Sequence, residues 1–245
     1  MSADPLAALI DLPGVREAVA AARDGVAEVH RHRANRTGWP ASAAEASVRA
    51  ARASAALDGG SAALPAEGPV DDPVLAGALR VAEALGGLLS TWQRAPLQVL
   101  ARLHVLAAAD LSPDPALGRP RSSPGVTARL DGLAHLIVGG SQAPAPVLVA
   151  VVHGELLTLA PFEYANGVVA RAAARLTAIA SGLDPKGLVV PEVAHLRRER
   201  EYRAAAAGFA EGGREALGRW IVHSCTALSA GAREATSIAE ALAST

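Results

Sequence analysis

The stretch Leu159 to Arg171, Leu-Ala-Pro-Phe-Glu-Tyr-Ala-Asn-Gly-Val-Val-Ala-Arg, has the residue types and spacing to hold an anion. Pro161 bounds a loop, Asn166-Gly167 forms a turn, and a long helical pattern follows. A helix start presents backbone N–H groups that have no partner inside the helix, at the positive end of its dipole. Arg171 lies one turn in, so Asn166, Gly167 and Arg171 form a candidate anion- or nucleotide-binding set. Arg175, one turn further on, could extend that clamp. Pairing with an acid such as Glu155 is the simpler reading for it.

Other chemistry is thinly represented. His153-Gly154-Glu155 echoes the H-x-E of zinc deaminases, but their P-C-x-x-C is absent. There is no H-E-x-x-H, Walker A, G-x-G-x-x-G or G-x-S-x-G pattern, and no metal site is expected. His104, His135, His153 and His223 each fall in an apolar helical stripe and read as hydrogen-bonded core histidines. Cys225, the single cysteine, excludes an internal disulfide and reads as a small buried hydrophobe. His30-Arg31-His32-Arg33 reads as cations at the negative end of a helix, and Arg197-Arg198-Glu199-Arg200-Glu201 as a solvated helix face.

The loop resembles the signature of the Fic (Fido) family of nucleotide transferases, HPFx(D/E)GNGRxxR. Pro161, Phe162, Asn166, Gly167 and Arg171 match it. Ala160 stands where the family has histidine, Tyr164 where it has the acid, Ala165 where it has glycine and Val168 where it has the first arginine. Ala150, His153, Leu156 and Leu159 match the spacing of a helix that often precedes the family motif. Ser54-Ala55-Ala56-Leu57-Asp58-Gly59 is similar to the family's self-inhibitory motif [S/T]xxxE[G/N], with Asp58 for glutamate. Ser54, Asp58 and Gly59 are therefore inhibitory-motif candidates, and an Asp58–Arg171 salt bridge is expected. The resemblance implies that the histidine would deprotonate a target hydroxyl, which attacks the α-phosphate of ATP, while the acid holds Mg²⁺.

Ala160 has no base, and Tyr164 as a neutral phenol is a poor ligand for Mg²⁺. Loss of a general base alone typically costs about 10²–10⁴-fold in rate. The expectation is a catalytically degenerate Fic-like protein, not an enzyme, that binds a protein partner or a nucleotide. ATP or another nucleotide is the one cofactor the resemblance suggests. An active transferase that uses Glu163, Glu155 or His153 instead is one alternative. A plain helical interaction module is the other. Phe162 and Tyr164 would fill the pocket or form an exposed contact patch. Residues 110–125, with Gly118-Arg119-Pro120-Arg121, read as a shortened relic of the family's target-docking flap.

The elements that must position these residues read as helices throughout. Hydrophobic residues make up 51% of the 245 and aromatics only 3%, so the core must be aliphatic. Alanine beside Leu, Arg and Glu favours an all-α fold, here a Fic-like helical bundle with N-terminal helices packed on its core. Sixteen prolines and 23 glycines divide the chain. Helical patterns run from 5 to about 34, with a break at Pro13-Gly14, and over 42–57, where Ser42 and Glu45 read as a capping box. They continue over 73–92, 96–109, 126–138, 147–159, 167–181, 185–196, 198–209 and 213–230, with Asp184 capping the 185–196 helix. Residues 61–72 read as a linker. The division is a helical extension over 1–70 carrying the inhibitory-like motif and a Fic-like domain over 71–245. Net charge of −1 gives no pull toward nucleic acid or an anionic membrane, and no secretion signal opens the chain. The longest uninterrupted apolar run, Val147 to Val152, is too short to span a bilayer. A cytoplasmic protein, able to form a homodimer, is expected, with the Ala/Arg/Gly/Pro bias of a bacterial genome.

Overall fold

A computed structural model describes residues 4–244, in which ten α-helices and no strand occur. After a 3₁₀ turn at Ala7–Asp11 come α1 (Val15–Arg31), α2 (Trp39–Leu57), α3 (Pro73–Trp92), α4 (Pro96–Ala108) and α5 (Val126–His135). Then follow α6 (Ala145–Leu159), α7 (Asn166–Ala180), α8 (Pro191–Arg197), α9 (Glu199–Glu211) and α10 (Arg214–Ala243). The all-α expectation holds.

Helix α6 is the hinge of the packing. It is apolar all round, which suits a helix buried on every side. Its Val152, Leu156 and Leu159 join a core with Leu75, Leu103, Leu130 and Leu176, built by α3, α4, α5 and α7. Its Val147, Ala150 and Val151 join a second core with Val15, Val26, Trp220 and Leu228, where α1 lies along α10. The Trp220 indole N–H donates to the Ala150 carbonyl at 2.7 Å and locks α10 to α6. Helix α7 lies inside this arrangement, buried from Gly167 to Ala178. Its alanines let α2, α3, α4 and α6 approach it closely.

Several sequence-derived boundaries change. Helix α2 starts at Trp39, with Pro40 in its first turn, so Ser42 lies inside the helix and bonds back to the Gly38 carbonyl. It forms no capping box with Glu45, which pairs with Arg49 instead. No helix starts at Pro185. The Asp184 carboxylate caps the loop itself, accepting from the Leu188 and Val189 N–H groups at 3.0 and 2.9 Å and from His30 Nε2 at 2.8 Å. Gly187 at φ +65° turns the chain, and α8 begins only at Pro191. Helix α5 ends at His135 in a π turn over Leu136–Gly140, and α10 runs on to Ala243. Helix α3 spans the residues its sequence pattern gives, Pro73–Trp92. With a mean hydropathy of 1.3 it is long and apolar enough to cross a membrane, yet Leu75, Ala78, Val81 and Leu85 face the first core.

Helices α3 and α4 meet at Gly77, where a Cβ would collide with the Ala107 carbonyl. Gly86, on the same helix, faces open space. Gly77→Ala is expected to cost about 1–3 kcal/mol in a denaturant melt through overpacking. Gly86→Ala should gain up to about 1 kcal/mol from helix propensity. Equal effects at the two positions would contradict this packing.

Candidate functional site: a closed anion pocket at the start of α7

The loop from Ala160 to Ala165 is held from three sides. Asn166 ties its own loop shut: its Oδ1 accepts from the Phe162 N–H and its Nδ2 donates to the Phe162 carbonyl, both at 2.9 Å. The Phe162 ring is 2% exposed and stacks on His104, with centroids 4.1 Å apart. His104 Nδ1 in turn accepts from the Gly118 N–H at 2.9 Å. Arg121 closes the top. Its guanidinium donates to the Leu159 carbonyl at 3.1 Å and to Ala160 at 2.6 Å, and its N–H donates to Pro161 at 2.7 Å. These are carbonyls the end of α6 leaves open. Residues 116–121 therefore lie over the loop as a strap.

Two loop residues carry backbone strain. Ala160 sits at φ +43° and Ala165 at φ +54°, the left-handed region that glycine tolerates best. Ala165 stands at the N-cap of α7 and has no side chain to cap it. The cap comes from a residue distant in sequence. The Asp58 carboxylate, just past the end of α2, accepts the Val168 N–H at 3.0 Å. Its other oxygen accepts from Arg171 Nη2 at 2.7 Å. Ser54 completes the cradle: its hydroxyl accepts from Arg171 Nε at 2.8 Å and its carbonyl from Nη2 at 2.9 Å. A Cβ at residue 167 would collide with the Asp58 carboxylate, so glycine there is a condition of the contact. The N–H donors, helix dipole and arginine that would bind an anion are thus engaged by the protein's own carboxylate.

A buried polar layer backs Arg171. Its Nη1 donates to the Tyr202 hydroxyl at 3.4 Å, and that hydroxyl is 2.9 Å from His153 Nε2. His195 stacks on Tyr202 and its Nδ1 lies 3.2 Å from His223 Nε2. Burial alone would lower the Arg171 pKa, but the Tyr202 oxygen and Asp58 beside it hold it raised. Burial, with Arg171 and His223 nearby, pushes His153 down to about 3. Burial, His153, His223 and Arg171 depress His195, and burial with Arg198 depresses His223. Burial raises Tyr202, which remains a neutral phenol. Arg203 of α9 donates to the Leu57 carbonyl at 2.7 Å and fixes the end of α2 beside Asp58.

The structure brings Ser54, Asp58, Gly167, Val168 and Arg171 together. Gly59 follows Asp58 at φ +85° and Asn166 serves the loop backbone. Ala160 is bound under Arg121 and Val168 is buried. Tyr164 is 41% exposed and so does not fill the pocket; of the two loop aromatics, Phe162 alone is buried. His153 is hydrogen-bonded to the Tyr202 hydroxyl, and Glu155 pairs with Arg129 at 2.6 Å. Glu163 is exposed. Arg175 pairs with Glu192 at 3.6 Å and with the Val189 and Gly187 carbonyls, not with Glu155. His135 is exposed, unlike the core histidines expected. Cys225 is buried, which raises its thiol to about 12. Among the described residues, no cluster of three or more His, Cys, Asp or Glu could hold a metal. Sequence reading missed Glu192, His195, Tyr202 and Arg203, whose roles arise only where α8 packs on α2 and α10, and α9 on α6 and α10.

Two outcomes are expected. Ala165→Gly relieves the left-handed strain and should stabilise the protein by about 0.5–1 kcal/mol in a thermal or denaturant melt; no gain would remove the strain argument. The depressed histidines bind protons more readily unfolded, near pH 6.5, than folded. Their contribution is fully present above pH 6.5 and is lost as pH falls below it, for His153 toward about 3 and by up to about 1.4 kcal/mol per pH unit in that window. His153→Gln should flatten the acid limb of a stability–pH profile, and an unchanged limb would contradict a neutral buried His153.

No protein-family model and no curated protein matches the chain. Solved structures do. A Fic family protein from Desulfovibrio desulfuricans G20 superposes with a TM-score of 0.76 at 19% identity, covering 92% of this chain and 74% of that one. Fic-1 from C. elegans gives a TM-score of 0.74 at 17% identity, covering 91% and 72%. Its E274G variant gives 0.72 at 19%, covering 96% and 74%. At these identities the likeness is one of backbone, and the chain has the fold of the Fic proteins.

Proposed function

We propose that this protein is a Fic-fold protein without AMP-transfer activity, which acts by binding a protein partner or a nucleotide through a pocket that Asp58 holds closed. The carrying observation is the Asp58 carboxylate on the Val168 N–H and the Arg171 guanidinium. A carboxylate there uses the donors an incoming phosphate would need. The transfer reaction lacks its base at Ala160 and its metal-binding acid at Tyr164. Phosphoryl-type transfer depends on such charge neutralisation. Arg121 occupies the Ala160 and Pro161 carbonyls, which are then not free to bond an incoming target segment. A nucleotide therefore competes with an internal anion whose effective concentration is high.

Calorimetric titration of ATP, with and without Mg²⁺, tests this. Wild type should bind weakly or not at all. Asp58→Ser should bind at least about tenfold more tightly, since a competing charged hydrogen bond is worth roughly 1.5–3 kcal/mol. Adding Arg171→Lys to Asp58→Ser should reduce that binding, and none of the variants should transfer AMP to protein hydroxyls. Equal ATP affinity in wild type and Asp58→Ser would sink the closed-pocket reading. AMP transfer by wild type would restore the reading of an altered transferase.

A further inference from the structure

Behind Arg171 lies a small chamber between α6, α7, α8 and α10, lined in part by Val149, His153, Arg171, Glu192, His195 and Ser224. Two of its polar groups lack partners in the protein. Glu192 is 2% exposed and Ser224 is 4% exposed. Glu192 Oε2 accepts no hydrogen bond; the nearest Arg175 nitrogen, at 3.6 Å, lies outside hydrogen-bond range. Ser224 Oγ neither donates nor accepts. That is unusual for its own helix. Thr226, Ser229, Thr236 and Ser237 of α10 all bond back to the carbonyl four residues earlier. Ser224 leaves that carbonyl alone and faces the chamber.

Charge and size decide what such a chamber holds. Arg171 is balanced by Asp58 and Arg175 by Glu192, so no net charge is left to attract an ion. The free space admits about one water-sized sphere, too little for an organic ligand. An apolar cavity of this kind stays dry, but an orphaned carboxylate oxygen and hydroxyl supply the polar partners a buried water needs. We propose that the chamber is a binding site for an ordered water, which donates to Glu192 Oε2 and hydrogen-bonds Ser224 Oγ. The water completes the shell of the buried Arg175–Glu192 pair and so anchors α8 between α7 and α10. This inference does not depend on what the Asp58 pocket binds.

Two measurements test it. A wild-type crystal diffracting to about 1.5 Å should show solvent density within hydrogen-bond distance of both atoms. The same crystal under xenon pressure should take up none in the chamber. An empty chamber, or xenon within it, overturns the proposal. Ser224→Ala gives the independent reading in a denaturant melt. With water present, loss of its anchor should raise the unfolding equilibrium constant roughly fivefold. In a dry chamber the same change removes an unsatisfied hydroxyl and improves helix propensity, so an unchanged or lowered constant counts against the water.

Discussion

A guanidinium 3% exposed to solvent must find its partners inside the protein, and much of this molecule is arranged around that requirement. Arg171 finds them in Asp58, in the hydroxyl and carbonyl of Ser54, and in the Tyr202 hydroxyl. Each comes from another helix. Meeting its demands therefore fixes α2 and α9 against α7. The same Asp58 carboxylate supplies the cap that Ala165 cannot give α7. Arg171 and its partners thus join three helices, and Asp58 caps one of them and sets the loop that precedes it.

The consequences run outward from that pair. Gly167 must lack a side chain because Asp58 lies against it. The loop before it must return within a few residues, and Asn166 closes it on Phe162 while Ala160 and Ala165 carry the strain. Strained backbone at such a turn persists where its surroundings over-determine it. Here the surroundings are the Arg121 strap and the Phe162–His104 stack. Behind Arg171, burial keeps the histidines of α6, α8 and α10 neutral, and the guanidinium adds to this for His153 and His195. The Fic fold is present, and the start of α7 serves in it as a structural joint between α2 and α7.

Much of this was legible in the sequence. The alanine-rich, strand-poor pattern led to an all-α bundle. The spacing of Pro161, Phe162, Asn166, Gly167 and Arg171 marked the loop before α7, and the order Ser54, Asp58, Gly59 pointed to Asp58 as the partner of Arg171. What was hidden is long-range. Ser42 and Glu45 have the spacing of a capping box, but Pro40 lets the helix begin earlier, and the box is swallowed. Asp184-Pro185 reads as a helix start, yet its carboxylate is drawn to two N–H groups downstream and to His30, more than 150 residues away in sequence. For Tyr164 the motif leaves open whether the ring fills the pocket or lies exposed, because its direction depends on the strained turn beside it. Glu192, His195 and Tyr202 carry no local pattern at all, since their partners lie on α6, α7 and α10.

The central claim is that Asp58 and Arg171 act as one unit. A double-mutant cycle in denaturant melts measures this most directly, with Asp58→Asn, Arg171→Met and the double variant beside wild type. The account predicts that each single change destabilises by roughly 3–5 kcal/mol or less, since one partner is partly exposed, and that the coupling energy reaches at least about 1.5 kcal/mol. A coupling energy near zero, with additive single effects, would mean that the two groups are neighbours and not the joint on which the site depends.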